Sequence, residues 1–137
     1  MATFVPMRKG QDVVTANISI KGIVFWHLLY VADDGELKKN GTSAAVTPFP
    51  LGVPEKLDMD MNTWHIAVMN PTRATVNYSV SITWEEGVDT IAKWPEDGPN
   101  EGSLKSGENI VFNSSALLAI LPEKTRAGNA ARSRVPR

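Results

Sequence analysis

The chain carries two histidines, and each follows a tryptophan: Trp26-His27 and Trp64-His65. Successive side chains of a strand point to opposite faces, so each pair sends its indole one way and its imidazole the other. If the two strands are neighbours, His27 and His65 meet on one side, where two imidazoles can hold a metal ion or respond to pH. Two ligands do not complete a site, because a structural zinc takes four and a catalytic one three plus water. Asp33, Asp58 or Asp60 would have to supply the rest. The plainer alternative is a pair of histidines that hydrogen-bond at a strand edge or a subunit contact.

Other candidate chemistry is less complete. Asp58-Met59-Asp60-Met61-Asn62 places oxygen ligands at every second position, as a calcium loop begins. Such a loop then needs glycine and, at its twelfth position, a bidentate glutamate; Thr63 and Met69 stand there instead. Glu85, Glu86, Asp89, Glu96 and Asp97 are numerous enough for acid–base hydrolysis. No apolar surroundings are evident that would raise one of their pKa values, so they read as solvated charge. No serine sits in a glycine-flanked elbow. The absence of cysteine removes disulfides, thiol catalysis and thiolate metal sites. The expectation is a chain that is not an enzyme and uses no cofactor.

Aromatic side chains offer a different function. An indole face stacks on the apolar face of a sugar while nearby carboxylates and amides bind its hydroxyls. Trp94, next to the Pro95–Gly102 loop, is the best placed, and with Glu96, Asp97 and Asn100 it forms a candidate ligand site. Trp26, Trp64 and Trp84 lie in strongly apolar patterns and read as core. Four Asn-x-Ser/Thr triplets, at Asn17, Asn40, Asn77 and Asn113, follow from strands rich in small polar residues and need no glycan.

The elements that must position these residues are strands. From Thr75 to Trp84 the sequence alternates without a break, Val76, Tyr78, Val80, Ile82 and Trp84 against Thr75, Asn77, Ser79, Ser81 and Thr83. Val14 to Lys21 alternates in the same way. This is a ribbon with one face in a core and one outside. Residues 23 to 32 are apolar on both faces, which predicts a strand covered on both sides. Lys38-Lys39-Asn40-Gly41 reads as a turn, as does Asn70-Pro71-Thr72-Arg73. Pro48, Pro50 and Pro54 predict an extended loop. Leu57, Met59 and Met61 alternate with polar residues ahead of a buried strand from Trp64 to Met69. Further strands fall at residues 88–94, at Leu104 and Ile110–Phe112 on either side of a Ser106-Gly107 turn, and at 116–121, the last with a short helix over Ser114–Leu121 as its alternative.

With 137 residues, about seven to nine short strands predict one all-β domain, an antiparallel β-sandwich or jelly roll over residues 1–122. No stretch has membrane-spanning length, and no secretion leader is visible, so the expected setting is cytoplasmic or within an assembled particle. Residues 1–122 hold 9 Lys/Arg against 14 Asp/Glu, a balance of −5, whereas 123–137 hold 5 against 1, a balance of +4. Lys124, Arg126, Arg132, Arg134 and Arg137 stand among small residues, which predicts a basic tail that is either a solvated or vector-derived end or an arm reaching an acidic neighbour or nucleic acid.

The outward faces Thr15/Asn17/Ser19 and Thr75 to Thr83 lack the Lys and Glu that usually keep exposed strands apart. The resulting expectation is a structural, self-associating homo-oligomer, shell- or coat-like. A carbohydrate- or other ligand-binding, lectin-like module is the alternative.

Overall fold

The computed structural model describes residues 2–32, 35–42 and 45–122. The chain is nearly all β. In order it forms β1 (Ala2–Met7), β2 (Val14–Lys21), β3 (Phe25–Ala32), β4 (Gly35–Thr42), β5 (Ala45–Gly52), a one-turn helix α1 (Pro54–Leu57), β6 (Met61–Met69), β7 (Val76–Glu86), β8 (Asp89–Trp94), β9 (Asn100–Leu104) and β10 (Asn109–Ile120). Among the described residues no helix is long and apolar enough to cross a membrane.

Among the described residues ten strands form two five-stranded sheets. Sheet I runs β1-β10-β6-β3-β4; sheet II runs β5-β2-β7-β8, with β9 on the other half of β7. All pairings are antiparallel except β1 with β10. The strict alternation of β2 and β7 is observed, with Ala16, Ile18 and Ile20 facing Trp84, Ile82 and Val80 across the ladder, Val14 facing Glu86, and all of them buried. Trp26, Leu28, Trp64, Ile66 and Val68 of sheet I join the same hydrophobic cluster, so the inward faces of both sheets share one core. Tyr30, Phe49 and Trp64 form an aromatic run within it, with the Lys39 ammonium 4.7 Å from the centre of the Phe49 ring.

Two aromatic rings lie flat over glycines on neighbouring strands. Trp26 is the ladder partner of Gly41, and Tyr78 that of Gly102. A Cβ at position 102 would stand 2.6 Å from the Tyr78 hydroxyl oxygen and 2.9 Å from the ring, and one at position 41 would strike the Trp26 indole. The need is for space, since neither residue is in the left-handed region.

Several elements differ from what the sequence predicts. Lys38 to Gly41 is part of β4 and not a turn. This strand ends its sheet, and charged residues and glycine are tolerated where one flank meets water. The proline-rich stretch is not a loop but strand β5, which among the described residues pairs only with β2; Pro48 and Pro50 fit because a single flank needs ladder donors. The alternation at Leu57, Met59 and Met61 belongs to no strand until Met61, because Pro54 starts a helical turn and Met59 adopts a left-handed conformation. Residues 109–120 are one strand of twelve, not two, and β1 was not evident at all.

The Asn70 turn is present and its cause is plain. Asn70 is buried; its amide nitrogen donates to the Ala74 and Leu104 carbonyls at 2.6 and 2.9 Å, and its oxygen accepts from the Thr72 N–H and hydroxyl, each at 2.8 Å.

Candidate functional site

The outward face of sheet I is the most unusual surface of the molecule. Strand β3 buries Trp26 and Leu28 but turns Phe25, His27, Leu29 and Val31 outward, so it is covered on one side only, contrary to the sequence expectation. Ladder partners share a face, and they extend this surface sideways. Met69 pairs with Phe25, Ala67 with His27 and His65 with Leu29. Val111 pairs with Ala67, Asn113 with His65 and Leu117 with Met61, while Phe4 pairs with Leu117. Phe4, Phe25, Met61, Met69 and Val111 are between 37% and 55% exposed. A groove of about 580 Å³ runs over this face, lined by Phe25, His27, Ala67, Met69 and Val111.

The two histidines come together here. β3 and β6 are neighbours, and His27 and His65 stand on the same outward face as diagonal positions of one ladder. His65 Nδ1 is hydrogen-bonded to the Asn113 side-chain oxygen on the next strand. Asp58 and Asp60 are elsewhere: the Asp58 carboxylate accepts the Ile120 N–H at 2.8 Å, near the end of β10. Asp33 lies outside the described residues. Among the described residues no group of three or more His, Cys, Asp or Glu side chains gathers as a metal site.

Sheet II turns a contrasting face outward. Thr15, Asn17, Ser19, Ser79, Ser81 and Thr83 are half-buried by their neighbours. Several polar groups there already satisfy one another: Asn17 donates to Glu85 at 2.7 Å, and the Ser103 hydroxyl donates to Asn77 at 2.7 Å. Covering such a face removes water from groups that gain no new partner.

No family model, curated protein or solved structure matches this chain. Its function therefore has to be argued from its own surfaces.

Of the remaining sequence candidates, Trp94 and Asn100 pair with Ile82 and Val80, two positions apart on β7. Trp94 is only half exposed; its ladder partner is the buried Ile82, and its ring meets Phe112 edge-on at 6.3 Å. Glu96 and Asp97 are exposed in the loop beyond it, and Asn100 begins β9. Lys124, Arg126, Arg132, Arg134 and Arg137 lie outside the described residues.

Glu86 is not solvated, as the sequence suggests, but almost wholly buried. Its carboxylate accepts the Arg8 backbone N–H at 2.9 and 3.2 Å, and the Arg8 side chain lies 3.6 Å away. Arg8 also donates to Asp89 at 2.8 Å. That hydrogen bond, with the nearby Glu86 charge, holds the guanidinium above its ordinary pKa. The group ties the end of β1 in sheet I to the β7–β8 hairpin of sheet II. Its carboxylates are thereby engaged in holding the fold, an arrangement unsuited to acid–base work.

Sequence reasoning missed the apolar face itself. Its signal is the double-sided apolar run at residues 23–32, which predicts cover on both sides without saying what supplies it.

Proposed function

We propose that this chain is a non-catalytic structural subunit, a β-sandwich that pairs with a second copy through the outward face of sheet I. The observation that carries the reading is the belt of Phe4, Phe25, Met61, Met69 and Val111 on a face where a solitary sheet turns polar side chains to water. Five strands spaced about 4.8 Å apart and some eight residues long span a flat projection of about 600 Å². Side chains corrugate that plane, bringing its accessible area close to the roughly 800 Å² per partner that stable complexes bury. That area is what a copy of the same chain supplies when the two like faces cover each other, and Glu36 and Lys38 on the outward side of β4 put charges of both signs at its rim.

Shell- or coat-like assembly is the larger form of this proposal. It assigns a second contact to the basic segment 123–137, directed to an acidic neighbour or to nucleic acid. The lectin-like alternative draws less support, because Trp94 is part-buried and packs against Phe112.

Light scattering across a concentration series tests the pairing. The wild-type protein is expected at twice the chain mass, and Val111→Asp, which puts a charge on the exposed belt, at the chain mass with an unchanged circular dichroism spectrum. A wild-type protein that stays monomeric at the highest attainable concentration overturns the reading. So does a Val111→Asp variant that pairs as well as the wild type. A monomer whose groove binds a small apolar ligand would assign this face to ligand capture instead.

A further inference from the structure

We propose that two paired copies enclose a site for a divalent transition metal of the zinc class, ligated by His65 and His27 of each copy. This rests on the pairing proposed above and goes beyond it by naming what the interface holds at its middle.

Position is the first argument. His65 is the fifth of the nine residues of β6, and β6 is the third of the five strands of sheet I, so His65 stands at the centre of the outward face. A two-fold axis relating two such faces lies in the plane between them and crosses near that centre, so His65 is among the residues that come against their own copies. His27 stands one strand over on the same face, diagonal to His65 in the β3–β6 ladder. Diagonal ladder positions are about 7–8 Å apart, a span that two long side chains close. With metal–nitrogen distances of about 2.0–2.1 Å, two imidazoles so placed can share an ion.

The second argument is the state of the ring. The Asn113 side-chain oxygen can only accept, so the tautomer of His65 that makes this hydrogen bond donates from Nδ1 and leaves Nε2 for an ion. A metal-bound histidine is oriented in this way, with one nitrogen donating to an oxygen and the other left for the ion. The third argument is number. One chain supplies two nitrogen ligands, half of a closed tetrahedral set, and two chains supply four. Leu29, Ala67 and Val111 around the pair exclude water when the faces meet. The charged side chains sharing this face at β4 are Glu36 and Lys38, and they lie at the flank of the sheet.

The test compares the dimer dissociation constant in EDTA and in zinc chloride at neutral pH, by sedimentation equilibrium, with the zinc bound per chain measured on the same samples. Zinc is expected to tighten pairing by about tenfold or more, at one ion per two chains. His65→Ala should lose that response while keeping whatever pairing the wild type shows in EDTA, and cobalt in place of zinc should give the visible absorption of a tetrahedral site. Pairing in EDTA that zinc does not change overturns the metal site and leaves the interface standing. One ion per chain, or a full zinc response in His65→Ala, also overturns the site. A protein that is monomeric in both EDTA and zinc overturns the interface and the site together.

Discussion

Replacing Glu86 isolates what secures the N-terminal strand to the rest of the molecule. In Glu86→Ala the Arg8 N–H loses both of its acceptor oxygens at 2.9 and 3.2 Å. A donor stranded in this way costs about 1–3 kcal/mol. The truncated side chain, almost wholly buried, leaves space in a packed junction for about 1 kcal/mol more. The lost attraction to the Arg8 guanidinium adds little, since that side chain is part-exposed and retains Asp89. Together the loss is about 3 kcal/mol, a large share of the stability of a domain this size.

Glu86→Gln keeps an oxygen for the N–H and nearly the same shape, and is expected to lose about 1 kcal/mol. Urea unfolding measures both: with a slope of about 1.5 kcal/mol per molar, Glu86→Ala moves the midpoint down by about 2 M and Glu86→Gln by well under 1 M. Hydrogen exchange should show faster amides in Val5 and Met7 for the alanine variant. Equal losses in the two variants would mean that charge, and not an acceptor for the N–H, does the holding. A Glu86→Ala loss below about 0.5 kcal/mol, the range of an ordinary surface change, would refute the reasoning altogether.

Gly102→Ala should cost about 1–3 kcal/mol by pushing the Tyr78 ring aside; in a Tyr78→Val background most of that cost should vanish, a coupling that a double-mutant cycle in urea measures. Gly41→Ala should behave alike through Trp26, read out as a change in tryptophan emission. Asn70→Ala removes four hydrogen bonds around the β6–β7 turn and should lower thermal stability by about 2–4 kcal/mol, whereas the exposed neighbour Arg73→Ala should change it by less than about 0.5 kcal/mol. If segment 123–137 binds nucleic acid, its five cations limit the slope of log affinity against log salt to about −4.5 on duplex DNA, and deletion of the segment should flatten it toward zero.

Local pattern made the paired interior of sheet II legible. Through Val14–Ile20 of β2 and Val76–Trp84 of β7 every second residue is apolar and every other one small and polar, and the ladder between them follows. Sheet edges were harder, because one unpaired flank relaxes the rules on composition: prolines in β5 and Lys38-Lys39-Asn40-Gly41 in β4 resemble connections while forming strands. Contacts between distant residues left no local trace. The parallel pairing of β1 with β10 joins the two ends of the described chain, and Arg8 meets Glu86 across 78 positions. Of the candidate site, the shared side of His27 and His65 was visible as a condition on strand adjacency, which the β3–β6 ladder meets. What the sequence could not convey was which sheet faces are left uncovered by their own chain.

The two outer surfaces of this molecule differ in kind, greasy across sheet I and hydroxyl- and amide-clad across sheet II. If the sheet I face pairs as proposed, growth stops after a single encounter, since the pair then shows water its wettable backs. Closed twofold bodies rather than fibres are then the expected product, and any larger lattice has to be knitted by different contacts that can be loosened without parting the twins.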